Sequence, residues 1–482
     1  MRSRTVKNPG DTGSSRRVGS RARSLIALGA ALATGTAAAV LVAGWNVSAQ
    51  GAGGPADLPG GALQVTNLPP LLRTADDHLA ALRYDVTCAA PETDADSGCD
   101  IAGTAFVRAG SSGSFQAIPL VADPHALVDR YVASLPADVT SASVFSYYAV
   151  VHDNRTGETV TLPAGGAAAP ERSLLLTRPV AISLGTHVFG AADHASARVA
   201  SAPWGDGPGR AGVEDGPQLQ PIGATSFDVD AAGTVTVLDE AHRRLLRFDA
   251  GRPGSPTAIP VDVRGTIADV RSRTDGGADV LESVAAPGET PVLHSFDASG
   301  RATGAWHTAE ATASALRLGL NGPQVLEYPA GQWMAIASNQ AESGPAARTA
   351  QLDAASVGPT LSGGRSIVAQ REGAEARIAL VDARGVTASW RIKSSTPLAE
   401  IQLAEPIGTK VVVVLRTYTE ASDEFVALVL GPRGAERQVS IASRDWAETA
   451  PLSRFRLVGS ALYHLGSTPT GMFVDRFDLE VH

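Results

Sequence analysis

The segment from Ser226 to Asp249 restricts the possible folds of this chain more than any other. In SFDVDAAGTVTVLDEAHRRLLRFD, apolar residues alternate with small or polar ones over two stretches that a glycine separates. Such alternation is typical of strands with one buried face, and Gly233 can supply the positive φ that a tight turn requires. A second turn follows at residues 240–243, before a third apolar stretch. The pattern predicts three consecutive antiparallel strands, which need neighbouring sheets to bury their apolar face.

The same segment resembles one blade of an NHL-repeat β-propeller. The residues that carry the resemblance are Asp230, Gly233, Val235, Val237, Asp239, Arg243 or Arg244, and Phe248. The segment departs from the repeat at His242, where the family usually has asparagine. The resemblance covers about 25 residues, and it implies a fold rather than a reaction.

Turn phrases similar to the end of this segment recur towards the C-terminus. They are Phe248-Asp249-Ala250-Gly251, Phe296-Asp297-Ala298-Ser299-Gly300, Val381-Asp382-Ala383-Arg384-Gly385, Leu430-Gly431-Pro432-Arg433-Gly434 and finally Phe477-Asp478. The steps between their second residues are 48, 85, 49 and 47, and 85 is close to two steps. A four-stranded propeller blade occupies about this length. Residues 226–482 are therefore predicted to form a β-propeller, with about six blades if residues 181–225 contribute strands.

Residues 1–49 are predicted to be an export signal. Seven Lys or Arg residues and one acid, Asp11, precede an uncharged stretch at residues 25–44, which is about long enough to span a bilayer as a helix. Small residues at 47–49 suit cleavage, whereas the length of the stretch and Trp45 suit a retained anchor. We expect a secreted or membrane-anchored protein, held through residues 25–44 if the signal is uncleaved. Residues 50–72, rich in Gly and Pro, are predicted to be a tether.

Cysteine content and charge narrow the class of protein further. Cys88 and Cys99 are the only cysteines and bracket a short polar loop, which favours one disulfide in an oxidising compartment. The net charge is −9, and because residues 1–49 carry +6, the remainder carries −15. An acidic exported body with no Lys/Arg cluster argues against nucleic acid as a partner.

Residues 73–180 are predicted to form a small β-sandwich. Short strand candidates separated by turns cover residues 82–87, 103–108, 114–120, 144–152 and 158–162. Residues 123–135 are interpreted as a helical insertion.

Residues 181–225 form a Gly-rich connector that holds the locally unusual side chains of the chain. The candidate ligand-binding residues are His187, His194 and Trp204 in the connector, with His242 and Arg243 in the second turn of the predicted blade. A glycine-rich loop near a tryptophan could line a ligand cleft, but a plain connector whose first strand completes the propeller explains the same residues. The two connector histidines lack the helical i, i+4 spacing of a metal pair, so no metal is predicted.

No catalytic motif is present in the sequence. It contains no G-x-S-x-G elbow, HExxH, P-loop or Rossmann fingerprint, and residues 228–233 lack the remaining oxygen ligands of a calcium loop. We therefore expect a non-enzymatic extracellular binding or scaffold protein, of the bacterial surface type. It would use the propeller to hold a protein or glycan ligand at the cell surface, without a cofactor. The alternative is a propeller lyase or hydrolase, with histidines and acids converging at the central channel.

Overall fold

The fold is almost entirely β-structure. The computed structural model describes residues 63–479 except 68–71, 78–80, 89–99, 125, 127–128, 164, 217–219, 264–265, 285–289, 309–312, 320–321, 328–331, 337–359, 362–364, 383–384 and 451–452. The predicted export signal, residues 25–44 included, lies outside the described residues. Within the part that is described, no helix is long and apolar enough to cross a membrane.

Two sheets and one short helix make up an N-terminal unit. The helix α1 spans Ala137–Ser141. The strands are β1 (Leu63–Asn67), β2 (Leu72–Thr74), β3 (Ala81–Cys88), β4 (Ile101–Ala109), β5 (Gln116–Pro119), β6 (Val121–Ala122), β7 (Arg130–Ser134), β8 (Val144–Asp153), β9 (Thr159–Leu162) and β10 (Glu171–Leu176). One sheet has the order β1-β3-β7-β6, and the other has the order β2-β10-β8-β4-β5 with β9 paired to β8. Buried residues of both sheets form one hydrophobic cluster that includes Tyr84, Phe145 and Tyr147.

Two boundary predictions are wrong in this unit. The predicted tether at residues 50–72 contains β1, which pairs with β3 because Leu63 and Val65 alternate towards the core and are buried. The predicted helical insertion at residues 123–135 instead contains β7, which pairs antiparallel with β3. Ala133 is fully buried by this pairing, and the helix begins only at Ala137.

Six further sheets follow along the chain. We name them blades one to six. Blade one contains β13 (Ala224–Val229), β14 (Val235–Asp239), β15 (Arg244–Phe248) and β16 (Thr257–Pro260). Blade two contains β17 (Thr266–Ser272), β18 (Ala278–Val284), β19 (Val292–Phe296) and β20 (Ala302–His307), and blade three contains β21 (Ala313–Gly319), β22 (Gly322–Glu327) and β23 (Gln332–Ala335). Blade four contains β24 (Thr360–Leu361), β25 (Arg365–Glu372), β26 (Glu375–Asp382) and β27 (Gly385–Ser394). Blade five contains β28 (Leu398–Ile407), β29 (Lys410–Tyr418), β30 (Asp423–Gly431) and β31 (Gly434–Ala442), and blade six contains β32 (Phe455–Val458), β33 (Ala461–Thr468) and β34 (Gly471–Asp478).

The predicted connector supplies the outermost strands of two distant blades. Strand β11 (Val180–Gly185) pairs parallel with β27 of blade four, and β12 (Ala197–Pro203) pairs antiparallel with β34, the last strand of blade six. The innermost strands, which are the first strands of the blades apart from the two-residue β24, contact one another: β13, β17 and β21 in blades one to three, and β25, β28 and β32 in blades four to six, with β32 also in contact with β13. An early strand that completes the last sheet, together with this order of first strands, identifies a β-propeller.

The strand assignments also explain the irregular 85-residue step. Asp249, Asp297, Gly431 and Asp478 each follow or end the third strand of their blade, counted outward from the innermost strand. In blade four the innermost strand is β25, which contacts β28 of blade five, so Asp382 ends β26, the second strand outward. The phrase at Asp382 therefore lies one strand early, and the step is shorter than two blade lengths for that reason.

Blade one confirms the three predicted strands and both of their turns. Gly233 has φ +84, as the turn requires. Phe248 is fully buried in a cluster that joins blade one to Leu465 and Val474 of blade six. The ring of Phe248 thus lies between adjacent blades.

The N-terminal unit packs against blade four. Leu72, Leu174 and Leu176 share a cluster with Val368 and Ala379. Beside this cluster the buried guanidinium of Arg377 contacts the Asp77 carboxylate at 2.6 and 2.7 Å and donates to the Leu72 carbonyl. Apolar contact and a charged fork together fix the orientation of the unit on the propeller.

Candidate functional site

A cavity of about 600 Å³ lies between blades five and six. The connector between β11 and β12 passes from blade four to blade six and so must cross blade five. The cavity is lined by connector residues, by β30 and β31 with the loop that follows, and by β12, β33 and β34: Gly190, Ala192, Asp193, His194, Ala195, Arg198, Glu424, Ile441, Ala442, Arg444, His464, Asp475 and Phe477. Hereafter this space is called the inter-blade cavity.

A row of cross-strand neighbours on blade six forms one wall of this cavity. In register across the sheet lie Phe455, His464, Asp475 and Arg198. The Arg198 guanidinium donates to both Asp475 carboxylate oxygens, at 2.8 and 3.1 Å, and its Cζ lies 4.1 Å from the centre of the Phe473 ring. This bidentate pairing neutralises the Asp475 carboxylate where it faces the cavity.

His464 is the polar side chain of this wall that the protein leaves incompletely paired. It is 1% exposed, its ring stacks on Phe455 at 4.8 Å, and its Nε2 has no hydrogen-bond partner among the described residues. Burial, followed by the charges of Arg454 and Arg444, lowers the pKa of His464 well below the usual histidine range. The imidazole is therefore neutral near pH 7, and His464 lies in the cavity wall with Nε2 buried.

Hydrogen bonds fix the connector to blade five on the opposite wall. Glu424 accepts from His187 Nε2 and from the Gly190 N–H, both at 2.8 Å, and from the Ser440 hydroxyl at 3.2 Å. The Asp193 N–H donates to the Ser440 carbonyl, and the Ser440 N–H donates to Asp193 Oδ2, each at 2.8 Å. Glu424 and Asp193 are thus held by protein donors.

Arg444 lies in the lining just after β31 and is exposed. Its φ is +43, a left-handed conformation that is uncommon for a residue with a side chain. Its Cζ lies 5.6 Å from the centre of the Phe473 ring, and no carboxylate of the described residues forms a salt bridge with it. Arg444 thus presents a guanidinium at the cavity with no acidic partner.

The five predicted ligand-binding residues divide between two places. His194 lines the inter-blade cavity, and His187 supports it through Glu424. Trp204, His242 and Arg243 lie instead where the connector meets blade one. The indole of Trp204 donates to the Thr468 carbonyl at 2.8 Å and belongs to the core between blades one and six.

The second place is a structural turn with an exposed edge. The two ring nitrogens of His242 lie 3.0 Å from Asp239 Oδ2 and 3.0 Å from Asp206 Oδ1. Burial opposes a charged imidazolium, but hydrogen bonds with Asp239 and then Asp206 outweigh it and raise the pKa of His242. Arg244, rather than the exposed Arg243, pairs with Asp239 at 2.8 Å.

A second polar cluster joins the first strands of the blades. Arg271 lies 3.2 Å from Asp228, and the buried Arg456 lies 2.7 Å from Asp269. Burial raises the pKa of Glu405, which faces these arginines. The charged groups that interact here are arginines and acids, whereas the described histidines of blades one and two pair locally, as His294 does with Glu282 at 2.9 Å. In the described part of the chain no histidine joins this inner-strand cluster, and His194 and His464 instead line the inter-blade cavity beside Glu424 and Asp475.

No group of three or more His, Cys, Asp or Glu side chains in the described residues is arranged to hold a metal ion. Cys88 ends β3, and its predicted disulfide partner Cys99 lies outside the described residues.

Sequence reasoning missed the residues that come to the cavity from distant strands. Arg198 and Asp475 are 277 positions apart, and His187 and Glu424 are 237 apart. One local signal existed: the run Met472-Phe473-Val474-Asp475 places a carboxylate directly after three apolar residues. A charge in such a run needs a partner inside the fold.

Comparison with known proteins gave structural likenesses only. No family model matches the chain, and no curated protein matches it. A virginiamycin B lyase from Staphylococcus aureus is similar at 9% identity, with 52% of this chain and 95% of that chain covered and a TM-score of 0.28. A PQQ-bound aldose sugar dehydrogenase from Streptomyces coelicolor is similar at 10% identity, with 59% of this chain and 97% of that chain covered and a TM-score of 0.30. YCF48 bound to D1 peptide is similar at 12% identity, with 63% of this chain and 100% of that chain covered and a TM-score of 0.28. At these TM-scores the assignment of the propeller rests on the strand topology of the chain itself.

Proposed function

We propose that this chain is an exported ligand-binding protein, secreted or anchored at the cell surface, whose binding site is the inter-blade cavity. In this proposal the N-terminal unit is a β-sandwich that holds the propeller away from the membrane, and blade one is of the NHL type. The proposal of export rests on the basic and apolar segments of residues 1–49, and on the acidic charge of the remainder.

The observation that carries the binding site is the unpartnered Nε2 of His464. A buried polar atom without a hydrogen bond costs about 1–3 kcal/mol, so a protein that keeps one in a cavity wall gains little unless a ligand completes it. The cavity volume of about 600 Å³ is within the range of small-molecule sites. The alternative of a propeller lyase or hydrolase is kept for the test, because His194 and His464 line this cavity beside the acids Glu424 and Asp475.

Ligand-observed NMR tests the site. The full-length protein in detergent would be screened against short cell-wall glycans and small peptide derivatives, and hits would be repeated with His464→Phe and with Arg437→Gln. Arg437 is exposed on β31 of the neighbouring blade five and is not in the cavity lining, so its substitution is the control. We expect hits to be lost in His464→Phe and retained in Arg437→Gln.

Two results would overturn the proposal. One is hits that bind His464→Phe as well as the unaltered protein, because binding would then lie elsewhere. The other is consumption of a hit during the experiment, because the alternative of a propeller lyase or hydrolase would then be correct. Export is tested separately, by protease accessibility of the protein on intact cells.

A further inference from the structure

We propose that the ligand of the inter-blade cavity carries a carboxylate, bound by Arg444, on an apolar body that lies against Ile441 and Phe477. This inference rests on the proposed function, and it names the chemical class of ligand that the same site would take. Most charged groups of the lining already have partners within the protein, and the group without an acidic partner indicates what the ligand must supply.

The acids of the lining have donors from the protein. Asp475 receives both donors of Arg198, and Glu424 receives three, from His187, Gly190 and Ser440. Asp193 Oδ2 accepts from the Ser440 N–H. A cationic ligand would therefore have to compete with bonds already formed.

The two arginines of the lining differ in whether an acid of the protein pairs with them. Arg198 is engaged by Asp475, and Arg444 has no salt bridge to a described residue. Both guanidinium groups lie against the same ring, Phe473, at 4.1 and 5.6 Å. Arg444 therefore keeps its planar set of donors available for a carboxylate, which arginine recognises in a bidentate manner.

The backbone at Arg444 supports the same reading. Its φ of +43 is a conformation in which glycine is favoured, and the Ser467 N–H fixes it by donating to the Arg444 carbonyl at 2.6 Å. Non-glycine residues in this region cost of order 1–3 kcal/mol and concentrate at functional sites. A guanidinium held at this point is consistent with such a role.

The remaining lining defines the rest of the ligand. Ile441 and Phe477 are both buried and line the cavity with apolar side chains. His464 is also part of the lining, and its unpartnered Nε2 could take one hydrogen bond from or to an amide or hydroxyl of the ligand. A carboxylate, a polar group and an apolar body are thus expected in one small molecule.

A charge series on one side chain tests the inference. Binding to the full-length protein would be measured by NMR titration for N-acetyl-L-leucine, N-acetyl-L-leucinamide and L-leucinamide, which are an anion, a neutral molecule and a cation. We expect the anion to bind best, and its affinity to fall about tenfold or more in Arg444→Gln, with little change in Arg437→Gln. Arg444→Gly, which removes the guanidinium and suits the backbone, should weaken binding equally.

Each other result counts against the inference in a distinct way. If the neutral or cationic probe binds as well as the anion and His464→Phe abolishes it, the cavity is a ligand site but the carboxylate inference is wrong. If Arg444→Gln and Arg444→Gly both leave binding of the anion unchanged, Arg444 is not the anchor. If none of the three probes binds while glycan hits depend on His464, the proposed function survives and this inference does not.

Discussion

Arg456 and Asp269 form a buried salt bridge of 2.7 Å that joins blade six to blade two across the first strand of blade one. Arg456 also donates to the Phe227 carbonyl at 2.9 Å, and Asp269 Oδ2 accepts from the Leu316 N–H of blade three at 2.8 Å. Four blades thus share one pair of charges. Since these bonds connect first strands that are distant in sequence, they act on closure of the propeller rather than on any single blade.

Arg456→Met is expected to destabilise the protein strongly. Removal of one partner leaves the Asp269 carboxylate buried without its cation, which costs about 3–5 kcal/mol. The double variant Arg456→Met with Asp269→Leu should recover part of this loss, because the Asp269 carboxylate is then no longer left buried without its cation. Urea unfolding would measure both against Arg437→Met, an exposed control expected within about 0.5 kcal/mol of the unaltered protein. A value for Arg456→Met equal to that of the control would show that the pair does not stabilise the closure.

The sequence predicts those parts of the fold that form from local contacts. Blade one was predicted because its strands and turns are consecutive, and a glycine at position 233 is recognisable without knowledge of neighbours. The pairing of β12 with β34 leaves no local trace, since each strand reads as an ordinary apolar stretch. The inter-blade cavity was missed in part for the same reason. His194 was predicted, but Arg444 and Asp475 become part of one cavity only when β12 pairs with β34 and completes the last blade.

Phe248→Ala is expected to cost about 3–5 kcal/mol, because it leaves a cavity between blades one and six. His242→Ala, on the same blade, is the matched control. Its ring is partly exposed and bonds Asp239 and Asp206 at a turn, so its loss should cost about 1 kcal/mol or less. Thermal melting of both variants measures the difference. Equal melting temperatures would mean that the register of blade one, as described, is wrong.

A chain that begins at Leu71 is expected to be less stable than one that begins at Gly60. The shorter chain lacks β1, so Leu63 and Val65 no longer cover the core of the N-terminal unit and β3 loses its outer partner. Two buried apolar side chains contribute about 3 kcal/mol or more. Calorimetry of the two chains beside the full-length protein checks this. If the chain from Leu71 melts like the longer one, β1 is dispensable and the sequence-based tether boundary at residue 72 is the better one.

Cys88 and Cys99 are expected to be bonded to each other. Cys88 ends β3 in one sheet, and β4 of the other sheet begins two residues after Cys99, at Ile101, so the bond would close the short loop between the sheets. A loop of this length gives a stabilisation of about 3 kcal/mol. Thiol labelling of the denatured, unreduced protein should detect no free thiol, while the reduced sample should label twice. Labelling without reductant would remove the disulfide and its contribution.

The N-terminal unit is expected to lose stability as the pH rises from about 4.5 to about 7, because of Glu171. Burial raises the pKa of this carboxyl to about 7, and its Oε2 has no hydrogen-bond partner among the described residues. The folded protein therefore retains a proton that the unfolded chain, with a pKa of about 4.5, has already released. Where the folded state binds more protons, the free energy of unfolding falls as the pH rises, here from about pH 4.5 to above pH 7. The full loss is at most about 3 kcal/mol.

Denaturant unfolding from pH 5 to 8 should show this decline in the unaltered protein and a flatter profile in Glu171→Gln, which stays neutral throughout. Asp138→Asn, at an exposed acid of α1, is the control and should keep the decline. A Glu171→Gln profile that parallels that of the control would show that Glu171 ionises in the folded protein as freely as it does in the unfolded chain.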